Sequence, residues 1–143
     1  MTLLKDAAKA MANYLLDTNH LSPLITLEHP LRKRVLERLA HGDTFDVPVP
    51  ALAELLFGIG MTPRARPNRE EWERLKPDFG YHDATVPDAE QAADLQVVLR
   101  RRGWQLGTVD ALIATVALRN NLVLLTTDRD FAAVPGLLTE NWL

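Results

Sequence analysis

The sequence predicts a single α/β domain, a parallel sheet of about four to five strands flanked by helices. Three observations carry this expectation. Short apolar runs alternate with segments of helical periodicity, the order that builds βαβ units. The run Leu122–Thr126 has almost no polar interruption, as in a strand covered on both faces. The helix read over Thr108–Asn120 carries only Asp110 and Arg119 as charges, so most of its surface is expected to be buried.

The elements follow in order. Tyr14–Leu16 reads as a short buried strand ending at Asp17. Leu21–Leu27 reads as a short helical turn. Pro30–Ala40 reads as a helix, with Pro30 near its first position and Gly42 beyond its end. Phe45–Val49 is a second strand, weakened by Pro48. Ala51–Ile59 is a helix because Leu52, Leu55, Leu56 and Ile59 share one face, and Gly60 and Pro63 end it. Met61–Asn68 reads as a loop that Pro63 and Pro67 hold extended. Arg69–Lys76 is a charged helix supported by Arg69–Glu73 and Glu70–Arg74 pairs. Asp83–Val86 is expected as a third strand. Asp88–Arg102 is an amphipathic helix, with Asp88 at its start, Arg100–Arg102 at its end and Gly103 as the stop. Thr108 is expected to cap the helix that follows it. Leu137–Trp142 is expected as the last strand.

No repeat, low-complexity tract or linker divides the 143 residues, a length within the roughly 100–200 of one domain. There are no cysteines, which excludes disulfide scaffolds, thiolate metal sites and thiol nucleophiles. The net charge of −3 argues against a purely electrostatic nucleic-acid binder but leaves room for local basic patches. The longest apolar stretches fall short of the ~18 residues of a membrane span. The opening segment carries Lys5, Asp6 and Lys9 and no apolar signal core, so a cytoplasmic protein without membrane association is expected. Ser22 is the single serine and sits outside any GxSxG elbow. A phosphate-cradling GxxxxGK[ST] run is also missing.

In a parallel α/β sheet the ligand crevice lies at the carboxyl ends of the strands. Asp17 follows the first strand, and Asp128 and Asp130 follow the Leu122–Thr126 strand. Asp110 lies in the first turn of a nearly apolar helix, and Glu54 is the only charge between Asp46 and Arg64. Carboxylates at close range raise one another's pKa, so a cluster is tolerable at neutral pH mainly when a cation neutralises it. An all-oxygen donor set suits Mg²⁺ or Mn²⁺, the ions of phosphoryl-transfer sites. Each residue also has a plainer reading: Asp17 as a turn former, Asp110 as a helix N-terminal charge, Asp128 as a cap, Glu54 as a solvated surface group. The combination, in this order on an α/β pattern, favours the site.

Four segments give the chain a family resemblance. Tyr14-Leu15-Leu16-Asp17-Thr18-Asn19 resembles the opening motif of PIN domains, specifically the VapC-type toxins of toxin–antitoxin pairs. Ala53-Glu54-Leu55-Leu56-Phe57-Gly58-Ile59 resembles the second motif and Asp110-Ala111-Leu112-Ile113-Ala114 the third. Leu125-Thr126-Thr127-Asp128-Arg129-Asp130-Phe131, with Val134–Leu137 and Asn141-Trp142, resembles the C-terminal block. The resemblance spans Tyr14–Trp142, nearly the whole chain.

It implies a PIN-like fold and a Mg²⁺- or Mn²⁺-dependent endoribonuclease acting on RNA, commonly tRNA or ribosomal RNA. It also implies a cognate antitoxin partner, often one that places an arginine or another side chain at the acidic site, and a homodimer. Asp17, Glu54, Asp110 and Asp128 take the catalytic and metal-holding positions, with Asp130 as the other candidate for the fourth. Asn19 and Thr108 are supporting candidates, and Thr126 or Thr127 could orient a water or a carboxylate. The stretch Pro48-Val49-Pro50-Ala51-Leu52 lacks the hydroxyl the family often carries before its second motif. Residues 1–12 read as an N-terminal extension, with Met11 as an alternative start.

RNA requires positive charge. Of the clusters Arg32–Arg34 with Arg38, Arg64/Arg66/Arg69, and Arg100–Arg102, the second is favoured because it follows Glu54 in an extended loop. Trp72 and Trp104 are stacking candidates, and His20, directly after Asp17-Thr18-Asn19, is a candidate neighbour of the site. Two other aspartate-based enzymes fit poorly. A haloacid-dehalogenase-type phosphatase requires a second aspartate where Asn19 stands, and a receiver domain requires a lysine beyond Lys76. A PIN-like module that binds RNA or protein without cutting is the alternative reading.

Overall fold

The computed structural model describes residues 12–143. The expectations for the extension and for Met11 as a start lie outside the described residues, apart from Ala12.

Five strands form one all-parallel sheet: β1 (Asn13–Leu16), β2 (Thr44–Pro48), β3 (Gly80–His82), β4 (Val123–Leu125) and β5 (Thr139–Glu140). Their order is β3-β2-β1-β4-β5. The helices are α1 (Thr18–Leu21), α2 (Pro30–Ala40), α3 (Val49–Gly60), α4 (Ala65–Leu75), α5 (Val86–Arg101) and α6 (Thr108–Arg119). Short 3₁₀ turns join them at Ser22–Ile25, Lys76–Asp78 and Arg129–Ala133.

Side chains alternate across a strand, and the alternation divides the core in two. Tyr14 and Leu16 of β1 and Leu125 of β4 pack with Phe45, Leu31, Leu55 and Trp72, under α2, α3 and α4. Leu15 and Leu124, from the same two strands, face the other way onto Ala111, Ala114, Leu99 and Phe131, under α5 and α6. The result is a three-layer α/β/α domain. From β1 the chain builds outward through β2 and β3, then crosses back to β4 on the other side of β1. The strand order therefore reverses between β1 and β4, the point where α/β sheets open a crevice.

Helix α2 spans Pro30–Ala40 as the sequence predicts; the other elements differ at their ends. Strand β2 stops at Pro48, which cannot donate to a ladder, and Val49 already opens α3. The turn expected at Leu21–Leu27 begins earlier, as α1. Asp83–Val86 is not a strand. Thr85 caps α5 through a reciprocal box with Asp88, which fixes Val86 as helical and moves β3 back to Gly80–His82. Met61–Asn68 is not an extended loop: α4 starts at Ala65 and carries Pro67 in its first turn, where a missing N–H costs nothing. Of the expected Leu137–Trp142 strand, only Thr139 and Glu140 pair with β4.

Two buried carboxylates, each paired with arginine, fasten the outer layers. Asp88 accepts both Arg119 Nε and a second guanidinium N–H at 2.9 Å, which joins α5 to α6. Glu71 of α4 accepts from Arg32 at 2.7 Å and from Arg74 at 2.9 Å. Among the described residues no helix is long and apolar enough to cross a membrane.

Candidate active site

Asp17 sits one residue past β1, and its backbone N–H donates to the Leu125 carbonyl of β4 at 3.0 Å. This ties the end of one strand to the end of the next. The Asp17 side chain is buried and well held. Oδ1 accepts the Thr18 N–H at 2.9 Å; Oδ2 accepts the Thr126 hydroxyl at 2.8 Å and the Asn19 amide at 3.3 Å. Burial pushes its pKa up, the Thr126 and Thr18 hydrogen bonds pull it down, and the charges of Glu54 and Asp128 push it up again; the net direction is upward.

Glu54 projects from α3 and is exposed, with Oε2 accepting the Thr18 hydroxyl at 2.8 Å. The hydroxyl lacking before the second motif is thus supplied from α1. Asp128 follows β4. Its Oδ1 accepts the Asp130 N–H at 2.9 Å, and its own N–H donates to Thr126 Oγ1 at 3.0 Å. It therefore caps the short helical turn, as the plainer reading has it, while its charge still acts on Asp17. Asp110 lies in the first turn of α6, half-buried. Its pKa rises from 3.8 to about 6, first through burial and then through Asp17, Asp128, Glu54 and Asp130 in turn. A helix N-terminus favours an ionised carboxylate, so the neighbouring charges and burial outweigh the dipole here. All five acidic residues singled out from the sequence thus act on one electrostatic site.

Supporting residues differ from expectation in two places. Thr108 does not cap α6: Gly107 occupies the cap position, and Thr108 Oγ1 instead accepts from Gln96 Nε2 at 3.3 Å. Thr126, rather than Thr127, presents its hydroxyl to Asp17; Thr127 contributes only its N–H, to Asn19 Oδ1 at 3.2 Å.

The basic clusters also sort themselves. Arg32 and Arg38 are engaged with Glu71 and Asp43. Arg66 and Arg69 lie on α4 and pair with Glu70 at 3.6 Å and Glu73 at 3.3 Å. Arg64 lines a groove of about 540 Å³ with Asn68, Glu71 and Arg74. A second groove shares Ile25, Thr26 and Asn68 with the first and ends at Thr18 and Glu54. Arg64 thus lies in the groove that adjoins the one lined by Thr18 and Glu54. Trp72 is buried in the core, whereas Trp104 is half exposed.

Oxygen donors alone, with burial and then neighbouring charges raising Asp110 to about 6, fit a hard divalent cation. Among the described residues no three His, Asp or Glu groups form a ready-made cage. Mg²⁺ sites commonly take few carboxylates and keep several waters, so the donor set still fits. Asp17, Asp110, Asp128, Glu54 and Asp130 are the candidate donors, of which a few carboxylates with waters would hold the ion.

Residues 14–137 match the PIN domain family. The chain belongs to that family. This PIN domain is 28% identical over 130 residues to ribonuclease VapC2 of Rickettsia felis, covering 90% of this chain and 97% of that one. Its fold superposes on VapBC2 of Rickettsia felis, a structure bound to a promoter DNA fragment, with a TM-score of 0.79. That match has 26% identity and covers 92% of this chain and 99% of the other. DNA-bound VapBC of Salmonella typhimurium has the same fold: TM-score 0.76, 24% identity, 93% and 100% coverage.

Proposed function

We propose that this PIN domain is a metal-dependent endoribonuclease, the VapC-type toxin of a toxin–antitoxin pair acting in the cytoplasm. One observation carries the reading. Asp17, Glu54, Asp110 and Asp128 come from four separate segments, yet after burial, the largest cause, the charges of the other three help lift Asp110 to about 6. A structural role explains each carboxylate singly but not their convergence. The relation to ribonuclease VapC2 supports the choice of RNA, and the likeness to a VapBC complex supports an antitoxin partner. Assembly as a homodimer accompanies this reading.

Bound Mg²⁺ or Mn²⁺ would lower the pKa of a coordinated water and offset charge developing on the scissile phosphate. The protein does the rest. Thr126, Thr18 and Asn19 hold Asp17 in one orientation, and the Thr18 hydroxyl holds Glu54. Orientation set before the substrate arrives need not be gained during the reaction. Arg64 gives the RNA backbone a positive contact along the groove toward Glu54.

The test incubates purified, antitoxin-free protein with total RNA in Mg²⁺, in Mn²⁺ and in EDTA, beside Asp110→Asn. Discrete cuts lost in EDTA and in the variant support the nuclease. No cuts from folded, metal-loaded protein leave the non-catalytic binding module.

A further inference from the structure

His20 is fully buried one residue beyond Asn19, and both of its ring nitrogens are engaged. The Trp142 backbone N–H donates to Nε2 at 2.9 Å, and Nδ1 lies 2.7 Å from Asn19 Oδ1. A backbone N–H only donates, so Nε2 carries no proton. Nδ1 therefore carries the hydrogen and donates it to Asn19 Oδ1. Burial lowers the His20 pKa to about 4, which keeps the ring neutral and in that one tautomer at neutral pH.

The consequence passes along the chain of bonds. Asn19 Oδ1 accepts from His20 and from the Thr127 N–H at 3.2 Å. Its Nδ2 must then point the other way, toward Asp17 Oδ2 at 3.3 Å and Thr126 Oγ1 at 3.5 Å. Were the Asn19 amide turned over, its oxygen would face a carboxylate oxygen and its N–H₂ would face two other donors. The far end of the relay is firmly seated. The Trp142 indole lies 3.8 Å from the Arg34 guanidinium and edge-on to Tyr14, with centroids 4.9 Å apart.

We propose that His20 is a positioning residue for the reaction: anchored by the Trp142 backbone, it sets the Asn19 amide and through it the Asp17 carboxylate. His20 has this role only if the chain is the ribonuclease proposed above, so the wild-type protein decides that point first.

Asparagine and glutamine divide the two bonds of the histidine between them. His20→Asn places an amide N–H₂ near the position of Nδ1 and keeps the donor to Asn19. His20→Gln places an amide oxygen near Nε2 and keeps the tie to Trp142. His20→Leu keeps neither. The measurements are RNA cleavage (kcat and KM), Mn²⁺ affinity by calorimetry, and Tm. The expected result is near-wild-type kcat for His20→Asn, with kcat down ~10–100-fold and Mn²⁺ binding weakened ~10-fold in His20→Gln and His20→Leu, as for other groups that orient metal ligands. KM for RNA stays within about 3-fold, because no contact to RNA changes. Rescue by glutamine instead of asparagine overturns the proposal and makes His20 a tie for the Trp142 segment. Equal loss in all three variants with a matching fall in Tm, or no loss in His20→Leu, overturns it too. Wild-type protein that neither binds Mn²⁺ nor cuts RNA defeats the ribonuclease reading itself.

Discussion

The Thr126 hydroxyl donates to Asp17 Oδ2 at 2.8 Å and accepts the Asp128 N–H at 3.0 Å, so one oxygen sets two of the acidic residues. Thr126→Val keeps the shape and removes the oxygen. Cleavage should fall ~10–100-fold with weaker Mn²⁺ binding. The buried acceptor and donor left behind should cost about 1–3 kcal/mol in urea unfolding. Unchanged cleavage would mean that Thr126 has no part in orienting Asp17.

Asp110 releases its proton near pH 6 in the folded chain, against 3.8 for the free side chain. The folded state therefore binds more protons between those values. Its charge destabilises the metal-free protein above about pH 6, and that effect disappears toward pH 4 and below. At pH 8, Asp110→Asn should be more stable than wild type by ~1–2 kcal/mol, allowing for partial exposure of the group. The gain should vanish near pH 4, and saturating Mn²⁺ should reverse the ranking at pH 8. Thermal melts at the two pH values, with and without the ion, make the check; a variant less stable at pH 8 without metal contradicts the clustering of charge.

The same site predicts a limb in the pH–rate profile. Protonation of Asp110 removes a candidate cation ligand, so cleavage should decline as pH falls through about 6. The apparent Mn²⁺ affinity should decline in parallel. A rate flat from pH 8 to pH 5 at subsaturating Mn²⁺ would exclude Asp110 as a ligand.

Arg119 is the partner of a carboxylate that is 1% exposed. Its hydrogen bonds hold Asp88 below the usual carboxylate range, with the Thr85 cap assisting. Arg119→Met leaves that buried charge with only its Thr85 hydrogen bond, a loss of about 3–5 kcal/mol, or roughly 10 °C in Tm. Stability from the lowered Asp88 pKa is present above about 3.8 and lost as pH falls through the folded value. The gap between variant and wild type should therefore narrow in acid. Equal melting of the two proteins at pH 7 would remove the pair from the fold's supports.

Gly80 is paired in register with Asp46, and a Cβ there would overlap Asp46 Oδ1. The carboxylate has little freedom to yield, because its other oxygen lies 2.6 Å from His82 Nε2. Gly80→Ala should destabilise by ~1–3 kcal/mol and leave metal affinity unchanged, since β3 is the sheet edge remote from the β1–β4 crevice. Altered metal binding would show that the edge communicates with the site.

Much of this was legible in the sequence because it depends on local pattern. The apolar runs locate β1 and β4, and Pro30 with Gly42 brackets α2. Asp17, Asp128 and Asp130 are legible as strand-end carboxylates, Asp110 as a helix-start one, and Glu54 as the only charge between Asp46 and Arg64. What sequence spacing misses is set by contacts between distant segments. Thr18 reaching Glu54 spans 36 positions, and Trp142 reaching His20 spans 122. Neither spacing has a local signature. The sequence marks His20 only as the residue after Asn19; its burial and its tie to Trp142 emerge from the fold. The misplaced third strand reflects two competing readings of one segment, settled by the reciprocal cap between Thr85 and Asp88. The misread Met61–Asn68 loop reflects a proline tolerated at a helix start and read as a breaker.

The order in which the strands are made has a temporal side. Asp17 and Thr126 stand 109 positions apart, and they meet only when β4 docks beside β1. Joining segments so distant is a slow, late step in folding. On the ribosome it cannot begin until β4 has emerged from the exit tunnel. A nascent chain halted before Thr126 carries Asp17, Glu54 and Asp110 but lacks the hydroxyl that holds Asp17. Translation that stops before Thr126 therefore yields a chain in which the Asp17 carboxylate lacks its closest side-chain donor.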